Sequence, residues 1–209
     1  MSKFYVLGMG PGNEEYILPI TKEIINECHV LIGGKRNLQY FEHLNKEKLY
    51  ISADLNKIVD YVKNNYESKK ICFLLSGDTG FYSMTTFIKK HFSKDHMIVI
   101  PGISSFQYMA AKIGEEYNDA LLSSVHGRDF DYISKLKEYN KIFLLTDKKN
   151  SPKSIAKNLI ENKMEDCILA VGENLSYENE KITLGRPKDI LHIDEFSMSV
   201  VMIKRHVEL

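Results

Sequence analysis

The chain has no tryptophan, only three cysteines and five prolines in 209 residues, and no excess of either charge, with 28 Lys and Arg against 28 Asp and Glu. Each shortage narrows the possibilities. The cysteine count is odd, Cys28, Cys72 and Cys167 lie far apart, and no C-x-x-C occurs, so neither a disulfide framework nor a zinc site is indicated. All three sit in apolar runs ("INECHVLI", "KKICFLL", "EDCILAV"), which predicts buried free thiols and a cytoplasmic setting. The charge balance argues against a general nucleic-acid binder, which carries a clear basic surplus. No apolar run reaches the roughly 18 residues of a membrane span. The N-terminus opens on a strand pattern instead of a signal peptide. No metal, nucleic-acid or membrane partner is therefore expected.

What is present is an ordinary folded composition, 44% hydrophobic and 27% charged. The length allows one large domain or two small ones. Short apolar runs alternate with helical patterns through the first half: "FYVLGM", "VLIGG", "KLYIS", "ICFLLSGD" and "MIVIPG" read as strands. "LPITKEIINECH" reads as a helix with Ile17, Ile20, Ile24 and Cys28 on one face. "DLNKIVDYVKNNY" is an amphipathic helix capped by Asp54. "YSMTTFIKKHF" and "SSFQYMAAKIG" are further helices, the second ending at Gly114. Such alternation builds a parallel sheet with helices on both faces. "EEYNDA", Glu115 to Ala120, is polar and aperiodic and reads as a hinge. The expectation is an α/β protein of two domains, 1–114 with a mostly parallel sheet and 115–209 with a mixed one. The late strands "CILAVGENL", "EKITLG" and "MSVVMIK" have little helix between them, which predicts antiparallel pairing.

In open α/β sheets ligands bind beyond the carboxyl ends of strands, and the unusual residues fall there. "GMGPG" imitates a dinucleotide loop and fails as one. Gly8 and Gly10 fit the spacing, but the third glycine would fall on Asn13; Gly12 is one residue early and Pro11 lacks an N–H. Asp78 in "SGDTG" could bind a ligand hydroxyl or amine, or cap the helix near Tyr82. Ser104 and Ser105 could cap a helix, or their amides could hold a carboxylate or an adenine edge. Lys35 and Arg36 follow "GG" where cations oppose a helix N-terminus; pairing with ligand carboxylates would explain them. His126 and Arg128 in "HGRD" place two cationic donors across a glycine. His29, His43 and His192 show no ligand spacing. No Ser–His–Asp or paired-carboxylate arrangement favours hydrolysis.

Taken in order, "GMGPGN", "SGDTGFYS" and "VIPGISS" resemble the tetrapyrrole methylase family along essentially the whole chain. Thr79 stands where the family usually has proline. "LIGGKRNL" and "SSVHGRD" are similar to the branch that methylates carbon five of precorrin-7 or cobalt-precorrin-7 in cobalamin biosynthesis. The resemblance implies the class III methyltransferase fold, two α/β domains with a cleft between them, and S-adenosylmethionine as methyl donor. It implies a donor pocket of Pro11, Gly77, Asp78, Phe81, Ser104 and Ser105, with Leu145, Thr146, Ala170, Val171 and Gly172 from the second domain. It further implies that the tetrapyrrole lies on Gly8, Gly10 and Gly12, its acid arms held by Lys35, Arg36, His126 and Arg128. No residue identifies itself as a catalytic base. A homodimer is expected, as is a companion C(15)-methyltransferase and decarboxylase on a separate chain.

Overall fold

The computed structural model describes residues 3–51 and 54–205. The strands are β1 (Phe4–Gly8), β2 (Val30–Gly33), β3 (Glu47–Tyr50), β4 (Ile71–Leu75), β5 (Met97–Ile100), β6 (Leu121–Ser124), β7 (Lys141–Leu145), β8 (Ile168–Glu173), β9 (Lys181–Gly185) and β10 (Ser199–Lys204). The helices are α1 (Pro19–Glu27), α2 (Lys35–Gln39), α3 (Leu55–Asn65), α4 (Thr85–His91), α5 (Ser105–Ile113), α6 (Tyr132–Lys135), α7 (Pro152–Glu161) and α8 (Pro187–Leu191). Ser52, the last residue of the expected strand "KLYIS", lies outside the described residues. Contacts divide the chain into two compact units, Met1–Ser104 and Ser105–Leu209.

The first unit holds a parallel sheet in the order β3-β2-β4-β1-β5. Its strands alternate between two apolar faces, as the period of two requires. Phe4, Val6, Val30, Ile32, Ile71 and Phe73 pack with Ile58, Val59 and Val62 of α3 and Ile88 of α4. Leu7, Leu31, Cys72 and Leu74 pack with Ile25 of α1 and Leu38 of α2. Right-handed crossovers account for this division. The connections from β1 to β2 and on to β3 step toward one edge, those from β3 to β4 and on to β5 toward the other, so their helices cover opposite faces. The direction reverses between the neighbours β4 and β1, which makes their carboxyl ends the switch point of the sheet.

α1 corrects one expectation. Ile17, Thr21, Ile25 and Cys28 are the buried positions, while Ile20 is 46% exposed. The buried stripe runs i, i+4, i+8 through a threonine, and the isoleucine spacing drew it one residue off.

The second unit is a mixed sheet, β6-β7-β10-β8-β9. β6 and β7 are parallel, and β10 is antiparallel to both β7 and β8, so β6, β7 and β8 point the same way. β8 and β9 pair antiparallel, as expected for the late strands. One face, with Leu144, Leu169, Val171 and Val201, packs on Ile155 and Leu159 of α7 and Ile190 of α8. α5 lies against β7 and β10 on the other, its Phe106 ring 6.1 Å from that of Phe143. The unit boundary therefore falls at Ser104, one helix before the boundary expected at Gly114, because α5 belongs with the second sheet. Residues read as a hinge are also tied to this unit. Glu115 bridges Lys141 at 2.9 Å and Lys204 at 2.7 Å, and the buried Lys141 ammonium donates to the Glu116 carbonyl at 2.6 Å. Cys28, Cys72 and Cys167 are buried and free. Among the described residues no helix is long and apolar enough to cross a membrane.

Candidate functional site

At the carboxyl edge of the first sheet the loops after β1, β4 and β5 are stitched into one surface. Gly10 and Gly77 exchange backbone hydrogen bonds of 3.2 and 2.8 Å across the switch point. Both have left-handed backbones, at φ +76° and +69°, which glycine adopts without strain. Gly8 touches the third loop so closely that a Cβ on it would meet the Gly102 nitrogen at 2.5 Å. A Cβ on Gly10 would meet the Tyr16 carbonyl oxygen at 2.8 Å. These two glycines thus let protein backbone approach protein backbone, which is a different reason for them from close approach of a flat ligand. Gly77 is the exception, since a Cβ there would meet nothing nearer than Ser104 Cα at 3.9 Å. Pro11 and Gly12 are half-buried beside the bridge.

Asp78 neither caps a helix nor stands free. Its Oδ2 accepts from Gly80 N–H at 2.7 Å and its Oδ1 from Gly102 N–H at 3.1 Å, so one carboxylate ties the loop after β4 to the loop after β5. Thr79 adds a second tie, donating to the Ile100 carbonyl at 3.3 Å, a bond the family's usual proline lacks. Phe81 is half-buried and packs edge-on against the exposed ring of Tyr82, centroids 4.9 Å apart. Tyr82 holds φ +46°, a strained value for a bulky residue. Ser104 is buried immediately before α5, and Ser105 begins that helix. On the β2 side, exposed Lys35 and Arg36 open α2, anchored by Asn37, whose amide donates to the Leu74 carbonyl at 2.9 Å.

The second unit presents a corresponding edge where β6, β7 and β8 end. Strand register aligns Leu145, Val200 and Gly172 in one row and Phe143, Met202 and Ala170 in the next. Ala170 and Gly172 therefore share a face with Leu145. Val171 points the other way into the core, so only its backbone is available to a ligand on that face. The buried Thr146 hydroxyl donates to the Ser199 carbonyl at 2.6 Å.

Asp147, which no sequence pattern singled out, organises the neighbouring loop. Its Oδ2 accepts from Gly127 N–H and its Oδ1 from Asn150 N–H, both at 2.6 Å. The Asn150 amide donates in turn to the Val125 carbonyl at 2.7 Å. The Asn150 and Gly127 amides hold the Asp147 carboxyl below its ordinary pKa. His126 and Arg128 are exposed on the loop so fixed, and the His126 Nδ1 lies 2.8 Å from the Thr146 carbonyl. "TDKKNS" after a strand was the available signal, but one partner of its aspartate, Gly127, is 20 residues away and invisible to spacing.

Glu173 ends β8 beside Gly172. Its Oε1 accepts from Ser197 N–H at 2.9 Å, while its buried Oε2 has no hydrogen-bond partner among the described residues. The buried Glu173 Oε2 is an acceptor with capacity to spare, which suits a ligand that carries a hydroxyl or amine group. A cavity of about 510 Å³ lies elsewhere in this unit, between Phe130, Tyr132 and α7, and none of the expected donor-pocket residues lines it.

The family model of tetrapyrrole (corrin/porphyrin) methylases matches residues 3–190. The chain is 34% identical over 177 residues to the cobalt-precorrin-7 C(5)-methyltransferase of Salmonella typhimurium, covering 85% of this chain and 87% of the relative. It is 32% identical over 212 residues to a probable enzyme of the same name from Methanocaldococcus jannaschii, covering 98% and 99%. Among solved structures it resembles the uroporphyrin-III C-methyltransferase of Thermus thermophilus in complex with S-adenyl homocysteine, with a TM-score of 0.74, 15% identity and coverage of 97% and 92%. The chain belongs to the tetrapyrrole methylases.

Proposed function

We propose that this protein transfers a methyl group from S-adenosylmethionine to carbon five of cobalt-precorrin-7, a step of cobalamin biosynthesis. The observation that carries the reading is near full-length similarity to relatives of that name, one of them covered over 99% of its length. The demethylated donor is bound in a structure of the same fold. When bound, the donor supplies an electrophilic methyl on sulfur, so the protein needs no strong nucleophile of its own. Its task is to hold reactants at near-attack distance.

The stitched loops of the first sheet suit that task. Asp78, Thr79 and the Gly10–Gly77 bridge fix Gly77, Phe81 and Ser104 on short connections, ready to hold the donor with Pro11 and Ser105. Leu145, Thr146, Ala170, Gly172 and the backbone of Val171 complete its pocket in this reading. The tetrapyrrole carries acetate and propionate arms, and exposed Lys35, Arg36 and Arg128 bind them through charge-assisted hydrogen bonds. In this reading the enzyme acts as a cytoplasmic homodimer.

The clamp has a direct check. Arg128→Ala should raise the tetrapyrrole KM about tenfold or more, the loss expected of one charged hydrogen-bonded contact, and leave donor affinity unchanged by calorimetry. Equal loss of both, or of neither, contradicts it.

A further inference from the structure

We infer that His126 accepts the proton of the methyl-transfer reaction through its Nε2. The inference rests on the substrate reading above. When a conjugated ring carbon takes a methyl group, the new C–C bond uses an electron pair of the macrocycle, and sulfur keeps the pair of the breaking S–C bond. The macrocycle is left with one positive charge and the original hydrogen still on carbon five. Breaking that C–H bond returns its electron pair to the ring and restores neutrality. The proton needs an acceptor, and a side chain whose basicity lies near the working pH serves best.

The hydrogen bonds single out His126. A carbonyl oxygen can only accept, so at 2.8 Å from the Thr146 carbonyl the His126 Nδ1 carries the ring proton. The neutral imidazole then presents Nε2 as a bare lone pair, and among the described residues Nε2 makes no hydrogen bond. The side chain is exposed at the carboxyl end of β6. Its backbone is fixed by Asp147 through Gly127 and by its own N–H donating to Ser124 Oγ at 3.1 Å. Gly127 turns the chain there at φ +64°. This is the arrangement of a base whose tautomer is set by the hydrogen bond of its other nitrogen.

The alternatives on the page are poorer. Asp78 and Asp147 each commit both oxygens to backbone amides. Among the described histidines, His29 and His96 precede the amino ends of β2 and β5, His43 lies between α2 and β3, His91 ends α4 and His192 follows α8. None stands at a carboxyl strand end.

This role opposes the expected one. A carboxylate clamp requires the imidazolium, whereas a proton acceptor requires the neutral ring, so the two roles predict opposite pH dependence. The charged group that interacts with the ring is Asp147, from the loop after β7; Arg128 and Asp129 follow His126 in its own loop.

Two measurements test the assignment. In ¹⁵N-histidine NMR of the wild-type protein near pH 8, His126 should be the Nδ1–H tautomer; the Nε2–H tautomer overturns the inference without any substrate present. In turnover assays with cobalt-precorrin-7, kcat should rise with pH, as a base that acts in its neutral form requires. His126→Gln should lower kcat about a hundredfold or more, flatten that pH dependence and leave the tetrapyrrole KM within a few-fold. Imidazole should restore part of the rate of His126→Ala. A raised KM with unchanged kcat identifies a clamp and overturns the inference, as does full activity of His126→Gln. Wild-type protein that turns over no tetrapyrrole sinks the substrate reading itself, an outcome distinct from an active wild type indifferent to His126.

Discussion

Each oxygen of Asp78 receives a backbone N–H, one from its own loop and one from the loop after β5. Asp147 does the same between the loops after β6 and β7. Neither role is written in the local sequence. "SGD" suggests a ligand contact or a cap, and "TDK" suggests a turn, because in each case one of the two amides comes from a distant segment. The Asp147 carboxyl, lowered chiefly by the Asn150 and Gly127 amides, makes a testable pH signature. A depressed carboxyl pKa contributes stability fully present above the unfolded value and lost as pH falls through the folded value. The difference in urea stability between wild type and Asp147→Asn should therefore be full at neutral pH and close as pH drops below about 4. A difference that stays constant to pH 2 contradicts the role. The glycines carry a related lesson. Their spacing argues against a dinucleotide loop, while the tight contacts of Gly8 with Gly102 and of Gly10 with Tyr16 emerge only in three dimensions.

Elements with a long apolar signature were legible. Buried β4, "ICFLL", and helix α3 with Asp54 accepting from Lys57 N–H at 3.4 Å stand where expected. The short helices α6 and α8 were missed, since four or five residues cannot display a helical period. α5 was recognised as a helix but assigned to the first domain, because periodicity reveals a buried face and not the sheet it covers. The end of α7 offers an independent check of element geometry. Lys163 holds φ +58° just beyond the helix, and Met164 N–H reaches back to the Leu159 carbonyl at 2.9 Å. This is the left-handed stop that glycine fills best. Lys163→Gly should raise stability by roughly 1 kcal/mol, the order of the left-handed penalty for a side chain. A loss of stability in urea denaturation would show that the lysine earns its place by another contact.

Across the whole molecule, each unit has its own core and its own carboxyl edge, and every motif that suggested chemistry lies on one of those edges. The fold class, the parallel and mixed sheets and the positions of the candidate loops followed from periodicity and turn residues. The family followed from three motifs in order. The direction of the His126 proton and the stitching by Asp78 and Asp147 required coordinates, because they depend on which carbonyl or amide faces each side chain. The most direct measurement is a side-by-side turnover assay of purified protein with methyl-labelled S-adenosylmethionine and cobalt-precorrin-7, metal-free precorrin-7 or uroporphyrinogen III. The account predicts label at carbon five of cobalt-precorrin-7 and none on uroporphyrinogen III. Label on another carbon, or transfer to uroporphyrinogen III alone, would contradict it.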